Sequence, residues 1–269
     1  MSPDPFVHLH VASGYSLQYG ASHPHVLVER AVEHEMDALA LTDRDGTYGA
    51  VKFAQASQRA GIRPILGVDL AVAPVGPGAP VGSGAPAGPA GAGRAPVRGG
   101  AHRDLPAHRG GLPRVTFLAG GRAGWAAICR MVSETHLHGE RGRPVATLDL
   151  LAPHLGCGDV MVLLGPTSEL GVAAVRRRDD LGLVALAPWL DVVPRDNLVV
   201  ELVSHRLPGG GSGGGGWGPG TSPHAARMAG VAHRGRRGPG PAVPPVRGAP
   251  RCAGAPTATC PPTAGACPG

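Results

Sequence analysis

The sequence is poor in lysine and in aromatic residues, and its cysteines lack the close spacing of a metal site. These shortages limit how the core is built and which kinds of site the chain can hold. Lys52 is the only lysine, and Phe, Trp and Tyr make up 3% of the chain, so aliphatic side chains must build the core. The five cysteines show no CxxC spacing, which argues against a zinc ribbon or a disulfide framework. There is no apolar run of about 18 residues and no basic-then-apolar leader. We therefore expect a cytoplasmic protein without a membrane partner.

Acidic residues are also absent from one end of the chain, beyond Glu201. Seven of the 25 basic residues lie beyond residue 205, which leaves 18 basic and 19 acidic residues in 1–205. The basic character of the chain therefore belongs to its last quarter. It is no evidence that the folded part presents a nucleic-acid-binding face.

Glycine and proline, in contrast, are abundant and concentrate in two stretches. They occupy 18 of the 38 positions in residues 76–113 and dominate residues 206–269. Such segments cannot bury enough apolar surface to offset the entropy lost on ordering. We predict a domain over residues 1–205 with a disordered insertion at 76–113. A disordered low-complexity tail follows at 206–269, with one short helical island at 224–232.

The rest of the chain alternates between strand and helix patterns. Strands are predicted at residues 6–11, 38–42, 62–72, 115–118, 160–164 and 198–203. Helices are predicted at residues 22–35, 47–60, 123–137 and 168–178. Gly61 supplies a stop signal for the second helix. Strands that alternate with helices predict an α/β fold with parallel strands and right-handed crossovers.

Two histidines, His8 and His10, stand two apart on the first predicted strand. The period of a strand places both imidazoles on one face, where they could share metal ions. By itself this spacing is a weak signal for a metal site.

The surroundings of the two histidines make the signal more specific. Four linked blocks, at residues 6–21, 38–43, 46–53 and 60–69, resemble the PHP domain of bacterial DNA polymerase III alpha subunits, most like the error-prone branch of actinobacteria. Later blocks around residues 118–125, 133–142 and 201–205 are similar too. The resemblance covers residues 5–73 and 114–205.

The resemblance implies a distorted (β/α)7 barrel of the PHP type, here partial. Metal ligands would lie at the C-terminal ends of its strands, as in other (β/α) barrels. In intact members divalent metals, such as zinc, manganese or magnesium, activate water for phosphoester hydrolysis as a 3′–5′ exonuclease. The implied metal ligands in this chain are His8, His10, Asp43 and Asp69. His136, Glu201 and His205 would support those ligands.

The sequence departs from the intact pattern at several of these positions. Arg44 stands where the pattern usually has histidine, Tyr19 where it has aspartate, and Asp69 where it has glutamate. Arginine stays protonated and cannot bind a metal. A late Asp-x-His pair, expected beyond residue 205, is missing. We therefore expect a degenerate site with weakened or lost affinity for the metal.

The resemblance suggests a function in DNA replication and translesion repair, with DNA and polymerase components as partners. We expect the chain to end before a polymerase palm, so its enzymatic status as a nucleotidyltransferase stays open. One alternative is a free-standing PHP phosphatase acting on a small phosphate ester, although Arg44 argues against the full ligand set that it needs. Another is a non-enzymatic module that binds replication or mutagenesis polymerases.

Overall fold

A mixed sheet of five strands organises the chain. The computed structural model describes residues 6–75, 111–140, 142–156, 158–203 and 221–237. The strands, which hydrogen-bond in chain order, are β1 (Ala38–Arg44), β2 (Arg63–Ala71), β3 (Arg114–Ala119), β4 (Val160–Leu164) and β5 (Leu198–Val200). The predicted α/β class is confirmed.

The strands are not all parallel, which corrects the predicted layout. β1 pairs with β2 and β4 with β5 in parallel, but β3 is antiparallel to both of its neighbours. The reversal follows from how the chain returns after β2: Ala71 pairs with Arg114, and the Val72 N–H bonds to the Pro113 carbonyl at 2.9 Å. The two strands therefore meet as neighbours, as they would in a hairpin.

Seven helices in the described residues surround this sheet. They are α1 (Pro24–Glu33), α2 (Ala50–Ala60), α3 (Arg122–His138), α4 (Leu148–Leu155), α5 (Glu169–Val175), α6 (Asp179–Val192) and α7 (Ser222–Arg237). Gly61 ends α2 with a φ of 72°, the left-handed conformation predicted from its sequence. Thr147 and Ser168 begin α4 and α5 by accepting hydrogen bonds from Leu150 and Gly171.

The two faces of the sheet have different side chains. On the face covered by helices, Leu39 and Leu41 of β1 share a cluster with Phe53 of α2, and Phe117 of β3 packs against Trp189 of α6 in the main core. The other face, called the inner face here, carries a small cluster centred on Ala40, Leu118 and Leu163, with Ile65 and Val199 against it. The inner face also carries Arg44, Asp69 and Arg114 of the candidate site.

The sheet curves strongly but is not closed. His10, in the segment beside β1, contacts Glu201, which follows β5 at the opposite edge of the sheet, at 3.1 Å. Ala40 of β1 also shares its cluster with Leu163 of β4. The described residues thus form a barrel-like, open sheet of five strands, where seven had been predicted.

The predicted first strand, residues 6–11, is corrected to an irregular extended segment. The N–H of Ala40 bonds to the His8 carbonyl at 3.0 Å, and that of Thr42 to the Val11 carbonyl at 2.8 Å. The segment advances three residues where β1 advances two. One extra residue of this kind interrupts a regular ladder in the manner of a bulge.

The predicted tail is corrected at α7, which is longer than the expected helical island. Its Met228, Val231 and His224 are fully buried, and the first two belong to the main core. The remainder of the tail, at 206–220 and 238–269, and most of the predicted insertion, at 76–110, lie outside the described residues. No helix within the described part of the chain is long and apolar enough to cross a membrane.

Candidate functional site

Polar side chains from both faces of the sheet gather where β1 and β2 end. Asp43 and Asp69 are 1% and 4% exposed, so both carboxylates are buried. Arg44 lies directly opposite Asp69 in the register of the two parallel strands. Because parallel strands end at the same edge of a sheet, residues from separate sequence blocks meet here.

The Asp43 carboxylate is enclosed by hydrogen-bond donors from the chain itself. Its Oδ1 accepts bonds from the Ser13 N–H and the Ser16 hydroxyl, both at 2.7 Å, and the Ser13 hydroxyl lies 2.9 Å from the same oxygen. The other oxygen, Oδ2, is 3.0 Å from the Ser13 hydroxyl. A Cβ at Gly49 would come within 2.5 Å of that oxygen. Asp43 thus ties the 13–16 turn to the end of β1.

The Asp69 carboxylate is paired with arginine. Its Oδ2 is 2.8 Å from Nε of Arg114 and 3.5 Å from Nε of Arg44. Arg114 also donates to the Asp69 carbonyl at 2.7 Å and to the Asp45 carboxylate at 2.9 Å. Burial disfavours the charged Arg114, but the charges of Asp69 and Asp45 outweigh burial and raise the pKa of its guanidinium.

The guanidinium of Arg44 also stacks on an aromatic ring. Its central carbon lies 3.5 Å from the centroid of the Tyr19 ring, well within cation–π range. The backbone N–H of Arg44 donates to the Ser16 hydroxyl at 3.0 Å. The Arg44 side chain is only 13% exposed, and the Tyr19 ring and the Asp69 carboxylate both lie against its guanidinium.

His10 and Glu201 form the second charged contact of the site. Nδ1 of His10 donates to Oε2 of Glu201 at 3.1 Å. Burial opposes protonation of His10, but the hydrogen bond to Glu201 and the negative charges of Asp69 and Glu201 raise its pKa. A Cβ at Gly165 would come within 2.4 Å of the same Glu201 oxygen, so glycine there leaves room for the pair.

The other predicted histidines are placed differently. The exposed ring of His8 packs edge-on against Phe6, with ring centroids 4.8 Å apart. His136 reaches from the end of α3 to donate to the Asp45 carbonyl at 2.6 Å, beside the arginine pairs. His205 lies outside the described residues.

A divalent metal requires several ligand atoms that converge on one point. Among the described residues, no group of three or more His, Cys, Asp or Glu could hold an ion. Asp69 Oδ1 is a buried oxygen that accepts no hydrogen bond from described residues, but one oxygen is not a metal site. The described arrangement does not fit a metal, and the ligand assignment stays a prediction.

Sequence reasoning missed Arg114 and Asp45, which complete the charged cluster. Asp45 follows Asp43 and Arg44 in one polar run, so its position at the end of a strand was a usable signal. Nothing in the sequence connects Arg114 to Asp69, because the contact joins residues 45 positions apart on neighbouring strands.

Comparison with known proteins gives consistent results. The PHP domain family matches residues 8–205. An error-prone DNA polymerase of Nocardia farcinica is 37% identical over 226 residues, which cover 76% of this chain and 19% of the relative. One from Cutibacterium acnes is 33% identical over 210 residues, covering 76% and 16%. A DNA polymerase III subunit alpha of Saccharopolyspora erythraea is 30% identical over 212 residues, covering 77% and 17%.

Solved structures resemble the chain more distantly. A metal-dependent phosphoesterase from Bifidobacterium adolescentis aligns with a TM-score of 0.42 and 12% identity, over 86% of this chain and 83% of that one. An amidohydrolase from Chromobacterium violaceum aligns with a TM-score of 0.30 and 22% identity, over 49% of this chain and 33% of that one.

The matches to the polymerases and the match to the family differ in how much of the matched protein they cover. The chain spans less than a fifth of the length of the curated polymerases that it matches, between 16% and 19% for the three relatives above. The family match, in contrast, extends from His8 through the strands and helices of the sheet to residue 205. The chain therefore belongs to the PHP domain family.

Proposed function

We propose that this chain is the PHP module of a DNA polymerase III alpha subunit of the error-prone type. It would work in the cytoplasm, in DNA replication and translesion repair, with DNA and polymerase components as partners. The support is the identity of 30% to 37% to such polymerases over about three quarters of the chain.

We further propose that the ancestral activity, metal-dependent phosphoester hydrolysis as a 3′–5′ exonuclease, is vestigial here. One observation carries this proposal: the chain's own donors surround the two buried carboxylates. Asp43 accepts from Ser13 and Ser16, and Asp69 pairs with Arg114. A zinc, manganese or magnesium ion would have to displace these donors before it could bind.

The position of Arg44 supports the same proposal. A neutral imidazole can donate an electron pair to a metal, whereas a guanidinium is cationic at any physiological pH and repels one. Arg44 lies 3.5 Å from the Asp69 carboxylate, so its positive charge is close to the oxygens that a metal would need. We propose that the module stabilises or positions its polymerase without turnover of its own.

A nuclease assay on the purified full chain tests this proposal. A 3′-labelled primer annealed to a template is incubated with the chain and Mn²⁺, and nucleotide release is measured with and without EDTA. We expect no release above the protein-free background. Release that EDTA abolishes, and that His10→Ala or Asp69→Asn also abolishes, would contradict the proposal.

The same preparation separates the phosphatase alternative. A free-standing phosphatase predicts Mn²⁺-dependent hydrolysis of a generic aryl phosphate, whereas the vestigial module predicts none. Calorimetric titration with Zn²⁺ and Mn²⁺ supplies an independent reading, for which we expect no stoichiometric binding tighter than micromolar. The variant Arg30→Met, in an exposed pair remote from the site, is the matched control for preparation effects.

A further inference from the structure

The site departs from the intact PHP pattern at three residues, and the middle one, Arg44, contacts the other two. Tyr19 stacks on Arg44, and Arg44 in turn approaches Asp69. These residues come from a loop and from two different strands, so their proximity is a property of the fold. Their side chains form one continuous chain of an aromatic ring, a cation and an anion.

The charges of this cluster are balanced by the protein alone. Two guanidinium groups, of Arg44 and Arg114, face two carboxylates, of Asp45 and Asp69. The Arg114 and Asp69 side chains are each 6% exposed, and that of Arg44 is 13% exposed. A buried carboxylate without a counterion is strongly destabilising. The cation that faces Asp69 therefore determines whether the fold needs a metal ion from solution.

We propose that Arg44, with Arg114, is the permanent counterion of Asp69 and replaces a divalent cation in the electrostatics of this site. The proposal rests on the degenerate metal site proposed above and extends it: the cation has been replaced by one that is covalently part of the chain. The fold is therefore independent of divalent metals, and Asp69 has become a residue for stability.

The details of the contact fit this role. Asp69 and Arg44 occupy opposing positions of paired strands, so little side-chain movement is needed to bring them together. Stacking on Tyr19 favours a planar guanidinium and would favour a lysine ammonium less, because the ammonium has no flat face. A chelator can remove a bound metal but cannot remove a side chain.

Thermal unfolding of the full chain, followed by circular dichroism, tests the proposal. For the intact chain we expect the same Tm, within about 1 °C, in buffer, in EDTA and in MnCl₂ or ZnCl₂. Arg44→Met should lower Tm by about 5 °C, because Asp69 loses one of its two cations. Asp69→Asn should cost less in the Arg44→Met background than in the intact chain, since the two residues act through one contact.

The same thermal-unfolding measurement supplies the control and the outcomes that would contradict the proposal. Arg30→Met, which breaks an exposed pair with Glu33, should leave Tm within about 1 °C of the intact chain. A Tm that EDTA lowers, or that Mn²⁺ or Zn²⁺ raises through Asp69, would overturn the proposal, as would strictly additive effects of the Arg44 and Asp69 substitutions. If Asp69→Asn does not fold, the chelator response of the intact chain still decides. Nuclease activity is measured separately, so failure of the proposed function is distinguishable from failure of this inference.

Discussion

At the residue scale, the role of Asp43 is defined by the donors that surround it. The side chain is 1% exposed and accepts bonds from the backbone and hydroxyl of Ser13 and from the hydroxyl of Ser16. These donors belong to the 13–16 turn, which lies against the end of β1. The carboxylate therefore organises local structure even where it binds no metal.

Replacing Asp43 should consequently reduce stability whether or not a metal is present. We expect Asp43→Ala to lower the free energy of unfolding by about 3 kcal/mol, because several buried donors lose their acceptor. Asp43→Asn keeps one acceptor oxygen and should cost less. Urea unfolding in EDTA measures both, with the exposed Asp37→Ala as control. Equal midpoints for Asp43→Ala and the control would contradict this expectation.

The pair of His10 and Glu201 predicts a dependence of stability on pH. The pKa of His10 is raised in the folded chain, so the folded state binds this proton more tightly than the unfolded state does. The stabilisation is fully present below about pH 6.5, the ordinary value for histidine, and is lost as pH rises through the higher folded-state pKa.

Removing the Glu201 charge should weaken this dependence, while the charge of Asp69 still raises the pKa of His10. NMR titration of the His10 ring in EDTA should give a lower pKa for Glu201→Gln than for the intact chain. The stability of the variant should also fall less between pH 6 and pH 9. The exposed substitution Glu33→Gln provides a control that should leave the His10 titration unchanged. Identical titrations for the intact chain and Glu201→Gln would argue that Glu201 does not stabilise the imidazolium.

At the element scale, the sequence predicted those helices and strands whose residue preferences agree with their burial and backbone conformation in the fold. β1 is a short apolar run buried on both faces, and α2 ends at a glycine with positive φ. The helices α4 and α6 were missed because Pro153 and Pro188 lie inside them, and proline normally ends a helix. Tertiary packing of Leu151 and Trp189 into the main core outweighs that local preference.

Helix α7 gives the sharpest test at this scale, because composition placed it in a disordered tail. Met228 is fully buried, so Met228→Ala should lower the free energy of unfolding by about 3 kcal/mol. Met161 of β4 is 37% exposed, and Met161→Ala should cost less than about 1 kcal/mol. Chemical denaturation measures the difference. If the two substitutions have the same effect, α7 does not pack as described.

At the scale of the whole molecule, the sequence predicted the α/β class but not the strand directions or the curvature. The hydrophobic pattern of a sequence does not determine which strands become neighbours. The contacts that curve this sheet join residues far apart in the chain, such as His10 and Glu201. The candidate site was predicted to the same extent: Asp43 and Asp69 were named from the sequence, whereas Arg114, which pairs with Asp69, was not. Pairings of this kind depend on register, which exists only once the sheet has formed.

The hairpin-like approach of β2 and β3 predicts how the whole molecule tolerates shortening. Val72 and Pro113 are hydrogen-bonded at 2.9 Å, so the chain leaves and re-enters the sheet at nearly the same place. Replacing residues 76–110 with four Gly and Ser residues should preserve the fold and raise its stability by up to about 2 kcal/mol through a shorter loop closure. Circular dichroism and urea unfolding check this, and loss of the folded signal would contradict it.

The contact between His10 and Glu201 also has a consequence for biosynthesis. The two residues lie 191 positions apart, so the ribosome makes the histidine long before the glutamate that accepts its hydrogen bond. At five to twenty residues per second, the delay is roughly 10 to 40 seconds. Throughout that interval the nascent segment around His10 must avoid aggregation without its final partner.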